Sequence, residues 1–163
     1  MKIYLLRHGI ATEREDPATD SQRPLTSKGR DQMEKIAEAL NELKLKPDLI
    51  LSSPYVRADQ TATILAKELK MKKHLQYTDL LTPEANPETL IAAIQKDYKV
   101  DELVLVGHYP HIGLLLEDFL GLEIGETITL KKGGICCLSV DDFSARPLAS
   151  MDWLLTPEIM LKV

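Results

Sequence analysis

The chain has 163 residues and a formal net charge of -5, with 44% hydrophobic and 28% charged residues. These values are typical of one globular domain, so we expect residues 1–163 to form a single domain. The acidic balance argues against general nucleic-acid binding, which normally needs a basic face. The apolar runs are far too short to span a membrane. Residues 1–6 carry no secretory signal, and we therefore expect a cytoplasmic protein.

In the first half of the chain, short apolar runs typical of strands alternate with longer segments that have helical periodicity. A predicted strand at residues 2–6 is followed by a loop at residues 7–24. Thr26 is the predicted N-cap of a helix that runs to residue 43, because the apolar positions there recur at helical spacing. The next predicted elements, in chain order, are a strand at residues 49–52, a helix at residues 55–70 and a strand at residues 75–77.

The second half continues the same alternation. Asn86 followed by Pro87 is an N-cap with proline at the first helical position, which predicts a helix to residue 99. After a predicted strand at residues 103–106, Pro110 opens a helix for which Gly121 is the expected stop. The last predicted strands cover residues 128–131, 135–140 and 149–155. This order predicts an α/β fold, a three-layer α/β/α sandwich with a mostly parallel central sheet and helices on both faces.

Three apolar strands run directly into groups that can bind or attack phosphate. These groups are Arg7 with His8, Arg57, and His108. Ligands bind at the carboxyl ends of strands in open α/β sheets, so we expect the four side chains to form a compact cationic pocket that suits a phosphoryl group. A neutral imidazole can attack phosphorus while positioned donors stabilise the transferring oxygens, and this chemistry requires no metal and no cofactor. The histidines also lack the spacing of a helical metal site.

These residues resemble the motifs of the histidine phosphatase superfamily, whose members have a phosphoglycerate mutase-like fold. The resembling segments are Arg7-His8-Gly9, Ser52-Ser53-Pro54 with Arg57, Gln60-Thr61-Ala62, and Gly107-His108, in the order of the family. The resemblance implies that His8 is the nucleophile, that Arg7 and Arg57 clamp the phosphate and that His108 is a further donor. It also implies that Arg23 reaches the phosphate or the rim of the substrate site.

Within the superfamily, the short chain resembles the SixA-type protein phosphohistidine phosphatases. The segments that carry this resemblance are Arg23-Pro24-Leu25-Thr26, Gly29, and Leu81-Thr82-Pro83. It implies a phosphohistidine-bearing protein domain as the partner.

Glu84 is an ambiguous counterpart of the proton-donating glutamate of mutase-like members, and Tyr109 stands where a small polar residue is expected. A phosphorylated imidazole leaves as a neutral ring and tolerates a weaker acid. An open site without a long lid insertion would admit a residue of a folded domain.

Several alternatives remain open at this point. The chain could be a small-molecule phosphomonoesterase of the same superfamily, a mutase, or a non-catalytic phosphate-binding module with the same pocket. We expect a monomer by default. His111, at the start of a predicted helix, is expected to be solvated, and so is the acidic loop of Glu13, Glu15, Asp16 and Asp20.

Overall fold

The alternation of strands and helices predicted from the sequence is present in the computed structural model, which describes residues 1–122 and 128–162. The strands are β1 (Lys2–Arg7), β2 (Leu49–Ser52), β3 (Leu75–Tyr77), β4 (Glu102–Gly107), β5 (Ile135–Ser139) and β6 (Ser150–Leu155). The α-helices are α1 (Ser27–Glu42), α2 (Val56–Glu68), α3 (Pro87–Asp97), α4 (His111–Leu120) and α5 (Pro157–Met160). Within these described ranges, no helix is long and apolar enough to cross a membrane.

The strands form one sheet in the order β3-β2-β4-β1-β5-β6. The pairs β3-β2, β2-β4 and β4-β1 are parallel, whereas β5 runs antiparallel to β1 and to β6. The central strands β1 and β4 are buried over almost their whole length, as expected for strands covered on both faces. The mostly parallel sheet predicted from the sequence is therefore confirmed.

Alternate residues of each central strand pack into two separate cores. Ile3 and Leu5 of β1 face one core, to which α3 and α4 contribute apolar residues that include Leu90 and Phe119. The intervening residues of β1 belong to the opposite core, which α1, α2 and α5 cover. Successive side chains of a strand point to opposite faces, so a continuous apolar run needs a helical layer on each side. The predicted three-layer sandwich is confirmed.

The helix ends agree with the capping residues predicted from the sequence. The Thr26 hydroxyl accepts a hydrogen bond from the Gly29 N–H at 2.9 Å, and the Asn86 side chain accepts from the N–H groups of Glu88 and Thr89. Gly121 ends α4 with φ of 64°, a left-handed conformation that favours glycine. The predicted ends of the second and third helices extend one to two residues beyond the observed ones.

The strand predicted at residues 128–131 is wrong. This segment pairs with none of the strands in the described part of the chain and has no regular structure. Leu130 is buried, but its carbonyl oxygen accepts a hydrogen bond from Arg7 Nη1 at 2.9 Å instead of joining a strand ladder. The apolar alternation thus reflects contact with the core and not strand pairing.

The loop predicted at residues 7–24 contains a short 3-10 helix, Pro17–Gln22, that was not foreseen.

The segment that follows β1 lies directly on the first turn of α1. The N–H of Thr26 donates to the Ile10 carbonyl oxygen at 3.0 Å. A Cβ atom on Gly29 would lie 2.0 Å from that same oxygen, so only glycine permits this approach. The N–H of Gly9 donates to Thr61 Oγ1 of α2 at 3.1 Å. Together these contacts fix the backbone around residue 8 against two helices.

Replacing Gly29 with alanine should therefore destabilise the protein. The new methyl group would meet backbone, which cannot move as a flexible side chain can, so we expect a loss of about 2 kcal/mol or more in the free energy of unfolding. Urea denaturation measures this loss. Lys28→Ala, at the exposed neighbouring position, is the matched control and should change stability by less than about 0.5 kcal/mol. Equal stability of the two variants would contradict the close approach.

Candidate active site

The carboxyl ends of three neighbouring strands deliver the predicted groups to one edge of the sheet. The N–H of His8, just after β1, donates to the Gly107 carbonyl oxygen at the end of β4 at 3.0 Å. The N–H of Ser53, just after β2, donates to the Val106 carbonyl oxygen at the same distance. The rings of His8 and His108 consequently lie with their centroids 5.1 Å apart.

His8 is held as a neutral imidazole with a defined tautomer. Its side chain is buried, with 6% exposure. Nδ1 lies 2.7 Å from the Gly9 carbonyl oxygen, which can only accept, so Nδ1 carries the proton. Nε2 then has a lone pair, toward which Arg57 Nε donates at 3.3 Å. Burial, with smaller contributions from the nearby cations Arg57 and Arg7, lowers the pKa of His8 to about 3 despite the bond to Gly9, which raises it.

Arg57 is buried in α2 and is held by Asp20. Its Nη1 donates to the Asp20 carbonyl oxygen at 2.7 Å and its Nη2 to Asp20 Oδ2 at 3.1 Å. The expectation that Asp20 is merely solvated is wrong, because its side chain is only 15% exposed and pairs with a buried arginine. Glu13, Glu15 and Asp16 are exposed, as predicted.

Arg23 lies beside the same carboxylate. Its Nε donates to Asp20 Oδ1 at 2.8 Å, and its Nη1 donates to the Thr12 carbonyl oxygen at 2.7 Å. Arg23 thus belongs to the cationic cluster, connected to Arg57 through Asp20. The spacing of three residues between Asp20 and Arg23 within a helical turn is the one sequence signal that could have indicated the role of Asp20.

Arg7 approaches the site from β1, with part of its guanidinium already occupied. Its Nη1 donates to the Leu130 carbonyl oxygen, and its guanidinium carbon lies 5.1 Å from the centre of the Tyr109 ring. Tyr109 is 37% exposed and packs on Gly113, where a Cβ atom would lie 2.8 Å from the tyrosine ring. Arg7 Nε is buried and has no hydrogen-bond partner among the described residues.

His108 presents a second buried nitrogen of this kind, Nδ1, which donates in the tautomer where the Ser53 hydroxyl donates to Nε2. Its Nε2 lies 2.8 Å from Ser53 Oγ, and its Nδ1 is buried without a partner in the described part of the chain. Burial, together with the neighbouring His8 and Arg57, lowers the pKa of His108 to about 2. A buried polar group without a partner costs about 1–3 kcal/mol, so such groups often mark a place that a ligand completes. Ser53 was not assigned a role from the sequence.

Two further residues lie next to this cluster. Glu84 is exposed and accepts a hydrogen bond from the Tyr55 hydroxyl at 3.3 Å, and the Tyr55 ring lies 5.2 Å from that of His108. The prediction that His111 is solvated is wrong, since its side chain is 1% exposed. His111 shares the inward face of α4 with Ile112 and, one turn later, Leu115, a spacing that could have revealed its burial.

The cluster has the chemistry of an oxyanion site with a nucleophile. It combines the Nε2 lone pair of a neutral histidine with two arginines and a second histidine that can donate hydrogen bonds. Planar guanidinium groups suit the oxygens of a phosphoryl group. Across residues 1–122 and 128–162, no three histidine, cysteine or acidic side chains are grouped to hold a metal ion.

The burial of two neutral histidines predicts that the protein loses stability in mild acid. The unfolded chain binds protons at histidine near pH 6.5, whereas folded His8 and His108 do so only at about 3 and about 2. Below pH about 6.5 the unfolded state therefore takes up more protons, and each group lowers the free energy of unfolding by up to about 1.4 kcal/mol per pH unit. Denaturation between pH about 5 and 7 measures this slope, and His8→Asn should make it shallower. Equal slopes would contradict the neutral state of His8.

Similarity to known proteins supports this chemistry. A family model described as the histidine phosphatase superfamily (branch 1) matches residues 3–82, which include Arg7, His8 and Arg57. An uncharacterized protein of Picosynechococcus sp. is 39% identical over 137 residues, which cover 83% of this chain and 82% of that protein. The phosphohistidine phosphatase SixA of Escherichia coli is 26% identical over 96% of this chain and 94% of its own length.

Solved structures extend the likeness to the whole fold. The structure of the protein histidine phosphatase SixA complexed with tungstate has a TM-score of 0.82 and 28% identity, covering 96% of this chain and 97% of the other. The alpha-ribazole phosphatase of Shigella flexneri has a TM-score of 0.74 over 96% of this chain and 97% of its own, but at 15% identity it shares the fold alone. The sequence motifs, the assembled cluster and these relatives agree: the chain is a phosphatase that belongs to the histidine phosphatase superfamily.

Proposed function

We propose that this phosphatase takes the phosphoryl group of its substrate onto His8 Nε2 and then hydrolyses the phosphohistidine formed. The observation that carries this proposal is the fixed tautomer of His8, whose Nδ1 proton bonds to Gly9 while Nε2 lies among cationic donors. Neutral imidazole is the reactive form, and burial keeps His8 neutral well below pH 7.

In the first step the lone pair of His8 Nε2 attacks phosphorus while the bond from phosphorus to the leaving group breaks. Arg57 Nε, Arg7 Nε and His108 Nδ1 donate to the phosphoryl oxygens, which spread the charge of the transition state. Positive charge develops on the His8 ring, and the Gly9 carbonyl oxygen stabilises it through Nδ1. In the second step a water molecule attacks phosphorus, inorganic phosphate leaves with a proton released, and His8 regains its lone pair.

Phosphohistidine on a partner protein is the substrate class that we propose. The relatives that cover almost the whole chain at 26–28% identity are SixA proteins that bear this activity in their names. The leaving group agrees with the site, because an imidazole that is protonated on its other nitrogen departs as a neutral ring and needs no strong acid. Glu84, the ambiguous counterpart of a proton-donating glutamate, is exposed and is connected to the cluster through Tyr55.

The short connection after α2 also favours a substrate residue on a folded domain. The connection between α2 and β3 holds only a short 3-10 helix, Lys72–His74, so no lid arises from this connection. Lids normally enclose small substrates and exclude water, whereas a protein substrate must bring its own surface close to the nucleophile. Arg23 lies at the edge of the cluster, where we propose that it contacts the phosphoryl group or the partner.

The main alternative is a small-molecule phosphomonoesterase with the same two steps. The alpha-ribazole phosphatase shares the fold of this chain, and its support for this alternative goes no further than the fold. Such an enzyme would turn over a small phosphate ester faster than a phosphohistidine protein. The two functions therefore differ in a directly measurable preference.

Removal of His8 should abolish both the turnover and the covalent intermediate. We expect His8→Ala to lose at least about a thousandfold in kcat/KM, because the nucleophile is gone while the donors remain. The measurement is phosphate release from a phosphohistidine-bearing protein domain, with para-nitrophenyl phosphate and a sugar phosphate in parallel. His74→Ala, which removes an exposed histidine, is the matched control and should retain full activity. Preference of the unaltered chain for the sugar phosphate would keep the mechanism and reject the substrate class.

Tyr109 should contribute to the choice of an imidazole leaving group. Its ring packs against the Arg7 guanidinium, and the residue is 37% exposed. Tyr109→Ala should lower kcat/KM about tenfold for the phosphohistidine protein and much less for para-nitrophenyl phosphate, with Tyr109→Phe close to the unaltered chain. Equal losses on both substrates would show that the ring only supports Arg7.

A further inference from the structure

Asp20 holds the Arg57 guanidinium from two sides. Its carbonyl oxygen accepts from Nη1 at 2.7 Å and its carboxylate from Nη2 at 3.1 Å, so the remaining Nε–H points to His8 Nε2 at 3.3 Å. A guanidinium is planar, and fixing two of its nitrogens fixes the direction of the third. The orientation of Arg57 toward the nucleophile therefore depends on Asp20.

The same carboxylate also binds the second arginine of the cluster. Asp20 Oδ1 accepts from Arg23 Nε at 2.8 Å, and the exposed Arg14 approaches this oxygen at 3.9 Å. Burial opposes the ionisation of Asp20, but its pairing with Arg57 and Arg23 outweighs this effect and keeps its pKa below the usual value. Asp20 is thus an anion and not a proton donor.

A carboxylate between two arginines lowers the affinity of the site for phosphate. It neutralises part of the positive charge that would otherwise attract the product, and it occupies N–H groups that phosphate oxygens would otherwise use. A phosphatase that releases inorganic phosphate in every cycle gains turnover if the product binds weakly, because binding energy for the ground state does not accelerate the chemical step.

We propose that Asp20 is a positioning residue that directs Arg57 Nε to the transferring phosphoryl group and weakens the binding of inorganic phosphate. This inference rests on the proposed phosphoryl transfer to His8. The short 3-10 helix that carries Asp20 is itself capped by Asp16, whose side chain accepts from the Ala18 N–H at 2.9 Å. The carboxylate is therefore presented from a defined turn.

The test is Asp20→Asn, which keeps the size of the side chain and removes its charge. We expect kcat for para-nitrophenyl phosphate to fall about tenfold, since Arg57 loses its fixed direction. We expect inorganic phosphate, titrated by calorimetry, to bind at least about fivefold more tightly, since two arginines lose their anionic partner. Asp20→Glu retains the charge and should keep phosphate affinity within about twofold of the unaltered chain.

Glu15→Gln is the matched control, because it removes an exposed acid from the same loop and should change neither quantity. Weaker or unchanged phosphate binding in Asp20→Asn would overturn the inference, since a purely structural role predicts weaker binding together with lower activity. So would an unchanged kcat. Failure of the proposed function would look different, because the unaltered chain would then show no turnover that depends on His8.

Discussion

The hydrogen bond between His8 Nδ1 and the Gly9 carbonyl oxygen, 2.7 Å long, decides which ring nitrogen can react. The carbonyl oxygen accepts only, so the proton stays on Nδ1 and the lone pair stays on Nε2. Burial disfavours the charged ring, and the neighbouring arginines disfavour it further. A histidine surrounded by cations is thereby kept neutral, the state in which it can serve as a nucleophile.

The sheet supplies the precision that this arrangement needs. His8, Ser53 and His108 follow three adjacent strands, and backbone hydrogen bonds of 3.0 Å tie the ends of those strands together. Gly9 is in turn bonded to Thr61 of α2, the helix that carries Arg57. The proposed nucleophile, His8, and its proposed donor, Arg57, therefore share one rigid support, which is how a site placed on strands and helices holds its geometry.

Much of this arrangement could be predicted from the sequence because it follows local rules. The caps at Thr26 and Asn86 and the helix stop at Gly121 were found from residue type alone. The meeting of Arg7, His8, Arg57 and His108 followed from parallel strands ending at one edge. Asp20 was missed because its partner Arg57 is 37 residues away, and the strand expected at residues 128–131 fails because apolar alternation cannot distinguish strand pairing from contact with a core.

The most direct test of this central interaction is the nitrogen-15 NMR spectrum of the His8 imidazole in the ligand-free protein, recorded from pH about 5 to pH about 8. We expect a neutral ring with the proton on Nδ1 throughout this range, because burial and the nearby cations keep the pKa at about 3. A ring protonated on Nε2, or a titration near pH 6.5, would show that His8 is not held as the neutral nucleophile and would contradict the proposed mechanism.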